Sequence, residues 1–475
     1  MKNYNTYYKF TESVSSFHKS FKPSLLLIFF AFIPSGCESF VDVGLPNSQL
    51  TASSVFEEKA SANAAMTSIY AKMRDTGLFT GSTTGLSNLL GNYADELTFY
   101  ANTQEGTAFF YNNAVIASNS AVKSLWNNSY NQIYSANAVI EGVEKSVSLQ
   151  DNDRRQLKGE ALFVRALIHF YLTNLFGAIP YVRSTDYQTN KTISKTNTTA
   201  IYQICIDDLK LAATLLPETY LTADRTRPNK SAARAVLARV YLCTQNWQQA
   251  SNEASAVLNN QALYIFETSL SKIFLKNSSS TIWQFSANTA IGNSLEAQTF
   301  LFTSGPPPLS SLSETLINSF SSQDLRRKEW ITAIIGTGGT WYCPSKYKNK
   351  GSGVSTEFSI LIRLNEIYLI RAEARAHAGD LIGSKEDLNK IRNAAGLDNT
   401  TALSQQEILN AVLKERQLEL FTEFGHRFFD LKRFNELDKT LKGLKPGWQE
   451  HEELLPLPES ELILNKNINP QNTGY

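Results

Sequence analysis

The chain has 475 residues, with 45 Lys and Arg against 44 Asp and Glu. That length exceeds one simple core and suits a large domain, while the balanced charge leaves no basic excess for phosphates and excludes nucleic acid as a partner. Aromatic residues reach 11%, with 27 Phe, 20 Tyr and 6 Trp, more than a helical core takes up, so some are expected near the surface.

At the N-terminus, Lys19 and Lys22 precede the apolar run LLLIFFAFI, Leu25 to Ile33. A membrane-crossing helix needs about 20 apolar residues, so this short run reads as a secretory signal. It ends in PSG before Cys37, the arrangement of a lipoprotein signal. Residues 1–36 are expected to be removed and Cys37 to carry lipid. Residues 37–56 are broken by Pro and Gly and read as a tether, and residues 57–475 as a single domain. The other cysteines, Cys205, Cys243 and Cys343, include no CxxC pair and none near a His at metal-ligand spacing. Cys205 and Cys243 fall on apolar helical stripes and are expected to be small core residues.

Helical periodicity runs from about Glu57 to Met73 and again from Trp126 to Lys145. The intervening Thr76 to Asn119 is rich in Gly, Ser, Thr and Asn and reads as loops. In RRQLKGEALFVRALIHFYLTNLFG, the positions Leu157, Ala161, Val164, Ile168, Tyr171 and Leu175 form one buried stripe. Gly177 and Pro180 end that helix, and His169, one residue off the stripe, is expected to pack or to hydrogen-bond. A further helix is AIYQICIDDLKLAATLLP. Two segments then read as helical hairpins with tight turns at Gln245-Asn246 and Gly379-Asp380. They are like tetratricopeptide units, but their irregular period embeds them in a larger fold. Between them, about Ala262 to Thr356, lies a loop-rich, partly β insertion containing STIWQFS, TWYC and GTGG, the last reading as a turn.

Motifs for catalysis are missing. There is no HExxH, GxSxG or GxxxxGK[ST], so no enzyme activity, catalytic residue, metal or cofactor is expected. Of the carboxylate pairs, Asp95-Glu96 and Asp207-Asp208 could serve a glycosidase, but the second reads as a solvated helix face. The segment EFGHRFFDLKRF, Glu423 to Phe434, is expected to continue one helix through Gly425, with Leu420, Phe424, Phe428 and Leu431 on one stripe. Glu423 stands four residues before Arg427, a favourable helical pair. Gly425 is expected to admit a close neighbour, and His426 to be structural.

The order of these segments resembles the SusD/RagB family of outer-membrane nutrient-binding lipoproteins, over nearly the whole mature chain. CESFVDV is similar to the family's lipidated start, and GEALFVRALIHFYLTNLFGAIPYV to its long scaffold helix. RPNKSAARAVLARVYLCTQNWQQA and IRLNEIYLIRAEARAHAGD with LNKIRNAAGL resemble its helix pairs. ERQLELFTEFGHRFFDLKRF and the tail LLPLPESELILNKNINPQNTGY resemble its C-terminal signatures, with Asn-Thr-Gly-Tyr where Asn-Pro-Gly-Tyr is common. The resemblance implies a mainly α fold of tetratricopeptide-like pairs carrying a variable loop-rich face. It also implies a lipid-anchored protein on the outer membrane, facing the exterior, that caps a SusC-like TonB-dependent transporter and captures oligosaccharides. The alternatives are the same role for peptides or another nutrient, and a helical-repeat protein-interaction scaffold with no small ligand.

The family's binding residues lie in variable loops, so the expected ligand contacts rest on aromatic chemistry alone. Flat amphipathic rings stack on the C–H faces of sugars. The first loop region offers Tyr100, Phe109, Phe110 and Tyr111 beside Asn102, Asn112 and Asn113. The second offers Trp341 and Tyr342. Of these, Trp341, Tyr342, Tyr100 and Tyr111 are the expected ligand-binding residues.

Overall fold

In a computed structural model, residues 54–101, 106–445 and 447–475 are described. Cys37, the expected signal peptide, nearly all of the expected tether, and Asn102 lie outside them. The described chain starts with a short 3-10 turn, Ser54–Phe56. Phe56 is already part of the core, packed where Gly142 leaves room for its ring.

The first half is helical. α1 (Lys59–Asp75) is followed by α2 (Leu86–Tyr93), β1 (Leu97–Phe99), α3 (Gly106–Tyr111), α4 (Ser120–Lys145), α5 (Asp151–Phe176), α6 (Tyr187–Asn190) and α7 (Thr198–Leu215). Side chains at the helix starts explain several boundaries. Asn119 accepts from the N–H groups of Ala121 and Val122, and Asn197 from that of Ala200. Asp151 and Asp153 place negative charge in the first turn of α5. Gly177, with φ +74°, ends that helix as expected. α5 packs against both α4 and α7. It is therefore buried on nearly every side from Gln156 to Phe176, rather than along one stripe.

The hairpins follow. α8 (Lys230–Cys243) and α9 (Trp247–Leu258) form the first, turning through Gln245 at φ +57°. The loop-rich region then holds β2 (Thr281–Phe285), α10 (Leu295–Phe300), β3 (Ser310–Leu312), α11 (Glu314–Ile317), α12 (Leu325–Glu329), β4 (Ile331–Gly336), β5 (Gly339–Pro344) and β6 (Ser359–Arg363). α13 (Leu364–His377) and α14 (Leu381–Ala394) form the second hairpin, turning through Gly379 at φ +86°. α15 (Gln405–Leu420), α16 (His426–Arg433), α17 (Leu437–Leu441) and α18 (Glu459–Leu464) complete the chain. α13 packs on α9 as well as on α14 and α15, so the two hairpins stack. The tail is tied back to α5: Leu455 N–H donates to Leu175 O at 2.7 Å, and Asn472 Nδ2 to Phe176 O at 2.9 Å.

Among the described residues, three small antiparallel sheets pair β1 with β3, β2 with β6, and β4 with β5. The last pair closes at Gly336 opposite Gly339, so GTGG is a hairpin turn, with Gly338 at φ +102°. The β2 partner, β6, lies beyond Thr356 and runs straight into α13. The insertion is thus sewn to the scaffold past its expected end.

Three expectations fail. The stretch Thr76 to Asn119 is not all loop, for it contains α2, β1 and α3. All eight residues of α2 are buried. Its polar look arises because Asn88 and Asn92 bond internally, Asn92 Nδ2 to Asn88 O at 2.9 Å and Asn88 Nδ2 to Thr107 Oγ1 at 3.0 Å.

Next, the helix does not continue through Gly425. α15 stops at Leu420, and Thr422, Phe424 and Gly425 take φ of +54°, +44° and +77° before α16 begins. Glu423 and Arg427 therefore lack helical i,i+4 geometry. Arg363 Nε donates to Glu423 Oε2 at 3.0 Å, with Lys346 on the other oxygen, while Arg427 pairs with Asp95. Gly425 does admit a close neighbour, since a Cβ there would overlap Leu90 of α2.

Finally, Asp208 is not on a solvated face. It is buried and accepts two bonds from Arg165, at 2.8 and 2.9 Å, and one from the Tyr181 hydroxyl at 2.6 Å. Asp207 is exposed. His169 packs as expected: its ring stacks on Tyr181 at 3.9 Å, and its Nε2 accepts from Val182 N–H.

Candidate ligand-binding face

The two loop regions that carry the candidate aromatics meet through β3. Phe99 of β1 pairs with Ser310 of β3, and the Tyr100 N–H donates to Leu309 O at 2.8 Å. One residue on, the Ser311 hydroxyl accepts from the Tyr342 N–H at 2.9 Å and donates to Tyr342 O at 3.2 Å. β3 thus joins the strand before Tyr100 to the hairpin that holds Trp341 and Tyr342. Alternation along β5 places these two neighbours on opposite faces.

Trp341 is only 8% exposed. Its indole fits because two glycines face it: a Cβ on Gly305 would overlap the ring, and one on Gly336 would stand 3.2 Å from it. Tyr100, 44% exposed, meets this indole edge to face, with ring centres 6.5 Å apart and planes at 84°. The expected exposure therefore holds for Tyr100 and not for Trp341, which serves as the seat on which Tyr100 rests. Tyr342 and Tyr111 are half-buried. Tyr111 lies 6.3 Å from Phe99, and Lys445 Nζ sits 4.0 Å from its ring centre while donating to Tyr111 O at 3.2 Å and Asn92 O at 2.6 Å. Burial pushes the Lys445 ammonium down to about 7.

Among the neighbours, Phe109 is exposed, whereas Phe110 belongs to the core beside Tyr93, 5.7 Å away. Asn112 is exposed, and Asn113 is buried with its Nδ2 donating to Tyr93 O. The Tyr100 hydroxyl is held above the ordinary phenol range by partial burial, opposed by a hydrogen bond with Trp341 and reinforced by Tyr111 and Glu314. It stays protonated, able to donate and to accept.

Sequence reasoning passed over Phe99, Lys445 and Ile335. Ile335 stands on β4 with 84% of its surface open. The apolar run ITAII hid it, because only the pairing register decides which side of a strand faces out.

The groups that could have made a catalytic site are arranged otherwise. Asp95 is buried, with Arg427 donating to both its oxygens at 2.8 and 2.7 Å. Glu96 is buried too, and burial, then the Asp95 charge, pushes it up to about 8. His426 is buried among Glu366, Arg239, Arg416 and Asp430, and burial pushes it down to about 4, so it is neutral. Among the described residues no group of three or more His, Cys, Asp or Glu is placed to hold a metal ion, and no helix is long and apolar enough to cross a membrane.

Comparison with known proteins agrees with this architecture. Residues 40–242 match a family described as "Starch-binding associating with outer membrane", and residues 339–475 match the SusD family. The chain is 28% identical to SusD-like protein P2 of Formosa agariphila, covering 96% of this chain and all of the relative. It is 23% identical to SusD-like protein P25 of the same organism, covering 95% and 99%. Among solved structures, a SusD superfamily protein from Bacteroides vulgatus aligns with a TM-score of 0.76 at 21% identity, over 88% of this chain and 100% of that one. A laminarin-binding SusD-like protein aligns with a TM-score of 0.75 at 22% identity, over 88% and 99%. The helical scaffold, the stacked hairpins and two matches in the expected order along the chain lead to one conclusion: the chain belongs to the SusD/RagB family.

Proposed function

We propose that this protein is a cell-surface lipoprotein that captures oligosaccharides and passes them to a SusC-like TonB-dependent outer-membrane transporter. The observation that carries the reading is Tyr100, an exposed ring seated on the buried Trp341 where the two loop regions meet. A ring held in this way loses little freedom on stacking against a sugar. Tyr342 and Tyr111 extend the face, and the hydroxyl of Tyr100 is available to sugar hydroxyls.

The family description and the laminarin-binding neighbour support a carbohydrate ligand and an outer-membrane location. The protein acts as a binder and not as a catalyst. Lipid on Cys37 would hold it at the membrane and keep it beside the transporter. Titration of the purified protein against a panel of neutral glycans tests the reading, with binding to at least one class expected. Absence of binding to every glycan, with binding to peptides instead, would replace it by peptide capture.

A further inference from the structure

Away from the loop face, a cavity of about 650 Å³ opens beside the stacked hairpins. This falls within the roughly 300–1,000 Å³ of small-molecule sites. Trp247, the first residue of α9, and His377, the last of α13, stack in its wall with ring centres 3.9 Å apart and planes at 8°. Phe429 and Phe434, half-buried, add two more rings. The exposed side chains of Gln245, Gln406 and Asn435 supply amide donors and acceptors at the same cavity.

Its cations are already engaged, and Glu453 adds an exposed carboxylate that can accept from ligand hydroxyls. Arg433 pairs with Glu373 at 2.7 Å and with Asp430 at 2.9 Å. Lys432 Nζ donates to the carbonyls of Asn174 and Glu453 at 2.9 and 2.8 Å. Partial burial holds His377 below its ordinary value, and it is uncharged at neutral pH. Neither cation is free to bind an acidic ligand, and the amides would be wasted on a purely apolar one. Flat rings with amide groups around them suit a molecule with apolar C–H faces and hydroxyl edges.

We propose that this cavity is a second ligand site, taking a short neutral saccharide between the aromatic side chains of Trp247 and Phe434. The site is argued from its own lining and does not depend on the loop face binding glycan.

Cys243 gives a direct probe. It lines the same cavity and is partly open, whereas Cys205 and Cys343 are buried. Burial pushes its thiol up to about 11, so iodoacetamide labelling is run at alkaline pH and followed at Cys243 by mass spectrometry. The purified protein is titrated with maltotriose and with laminaritriose. At least one of them should slow Cys243 labelling in the wild type and equally in Tyr100→Ala. Trp247→Leu keeps apolar volume but removes the flat ring, and should raise the concentration needed for protection by roughly tenfold. Gln406→Ala, on an exposed side chain, should weaken protection without touching the core. Labelling unaffected by either trisaccharide up to its solubility limit overturns the second site, even if calorimetry detects glycan bound at the loop face. Protection that survives in Tyr100→Ala while all calorimetric binding is insensitive to that change supports the cavity and counts against the loop face.

Discussion

Arg427 of α16 donates to both carboxylate oxygens of Asp95, at 2.8 and 2.7 Å, joining the C-terminal scaffold to the first loop region. Both partners are largely withdrawn from solvent. Removing Asp95 alone leaves a buried guanidinium without its partner, so Asp95→Ala should cost about 3–5 kcal/mol of stability. The double variant with Arg427→Ala should cost clearly less than the sum of the single changes. Urea unfolding of the three variants measures this, and strict additivity would show that the pair is not coupled.

Gly425 combines a left-handed backbone with contact against Leu90. Gly425→Ala should therefore destabilise by about 1–3 kcal/mol, from backbone strain and overpacking together. Thermal unfolding checks it. An unchanged midpoint would mean that α2 moves aside at no cost.

His426 is held neutral by burial, with its value lowered from 6.5 to about 4. Its contribution to stability is complete above pH 6.5. As the pH falls below that, the unfolded chain takes up a proton that the folded one refuses, and stability is lost until the pH passes about 4. Relative to His426→Gln, the wild type should lose about 2 kcal/mol between pH 7.5 and 4.5. Glycan binding of the variant at pH 7.5 should match the wild type. Parallel stability curves, or binding abolished at unchanged stability, would contradict a structural role.

Cys37→Ala should release the protein from the membrane fraction, and mass spectrometry of the wild type should find a lipid-modified N-terminus at Cys37. Retention of the variant in membranes, with no lipid on the wild type, would contradict the anchor.

The scaffold was legible because its signals are local. The apolar spacing of α5 and the turns at Gln245-Asn246 and Gly379-Asp380 each lie within a few residues, and the structure repeats them. What stayed hidden depends on partners far along the chain. Asp208 looked solvated because Arg165 lies on another helix. Glu423 and Arg427 looked like a pair because nothing in TEFGHRFF announces that two non-glycine residues, Thr422 and Phe424, adopt positive φ. The aromatic face divides in the same way. Residue types nominated Tyr100 and Trp341, but only the β1–β3 register and the glycines at 305 and 336 decide that one ring is open and the other supports it.

That division of labour supplies the most direct test of ligand capture at this face. Tyr100→Ala, Tyr342→Ala and Trp341→Ala are compared by calorimetry against the best-bound glycan, with thermal unfolding alongside. Tyr100→Ala should weaken binding roughly tenfold or more at nearly unchanged stability. Trp341→Ala should weaken it too, with a loss of about 3–5 kcal/mol in stability from the vacated indole site. Wild-type affinity in folded Tyr100→Ala and Tyr342→Ala proteins would contradict the account and place ligand capture on another part of the surface.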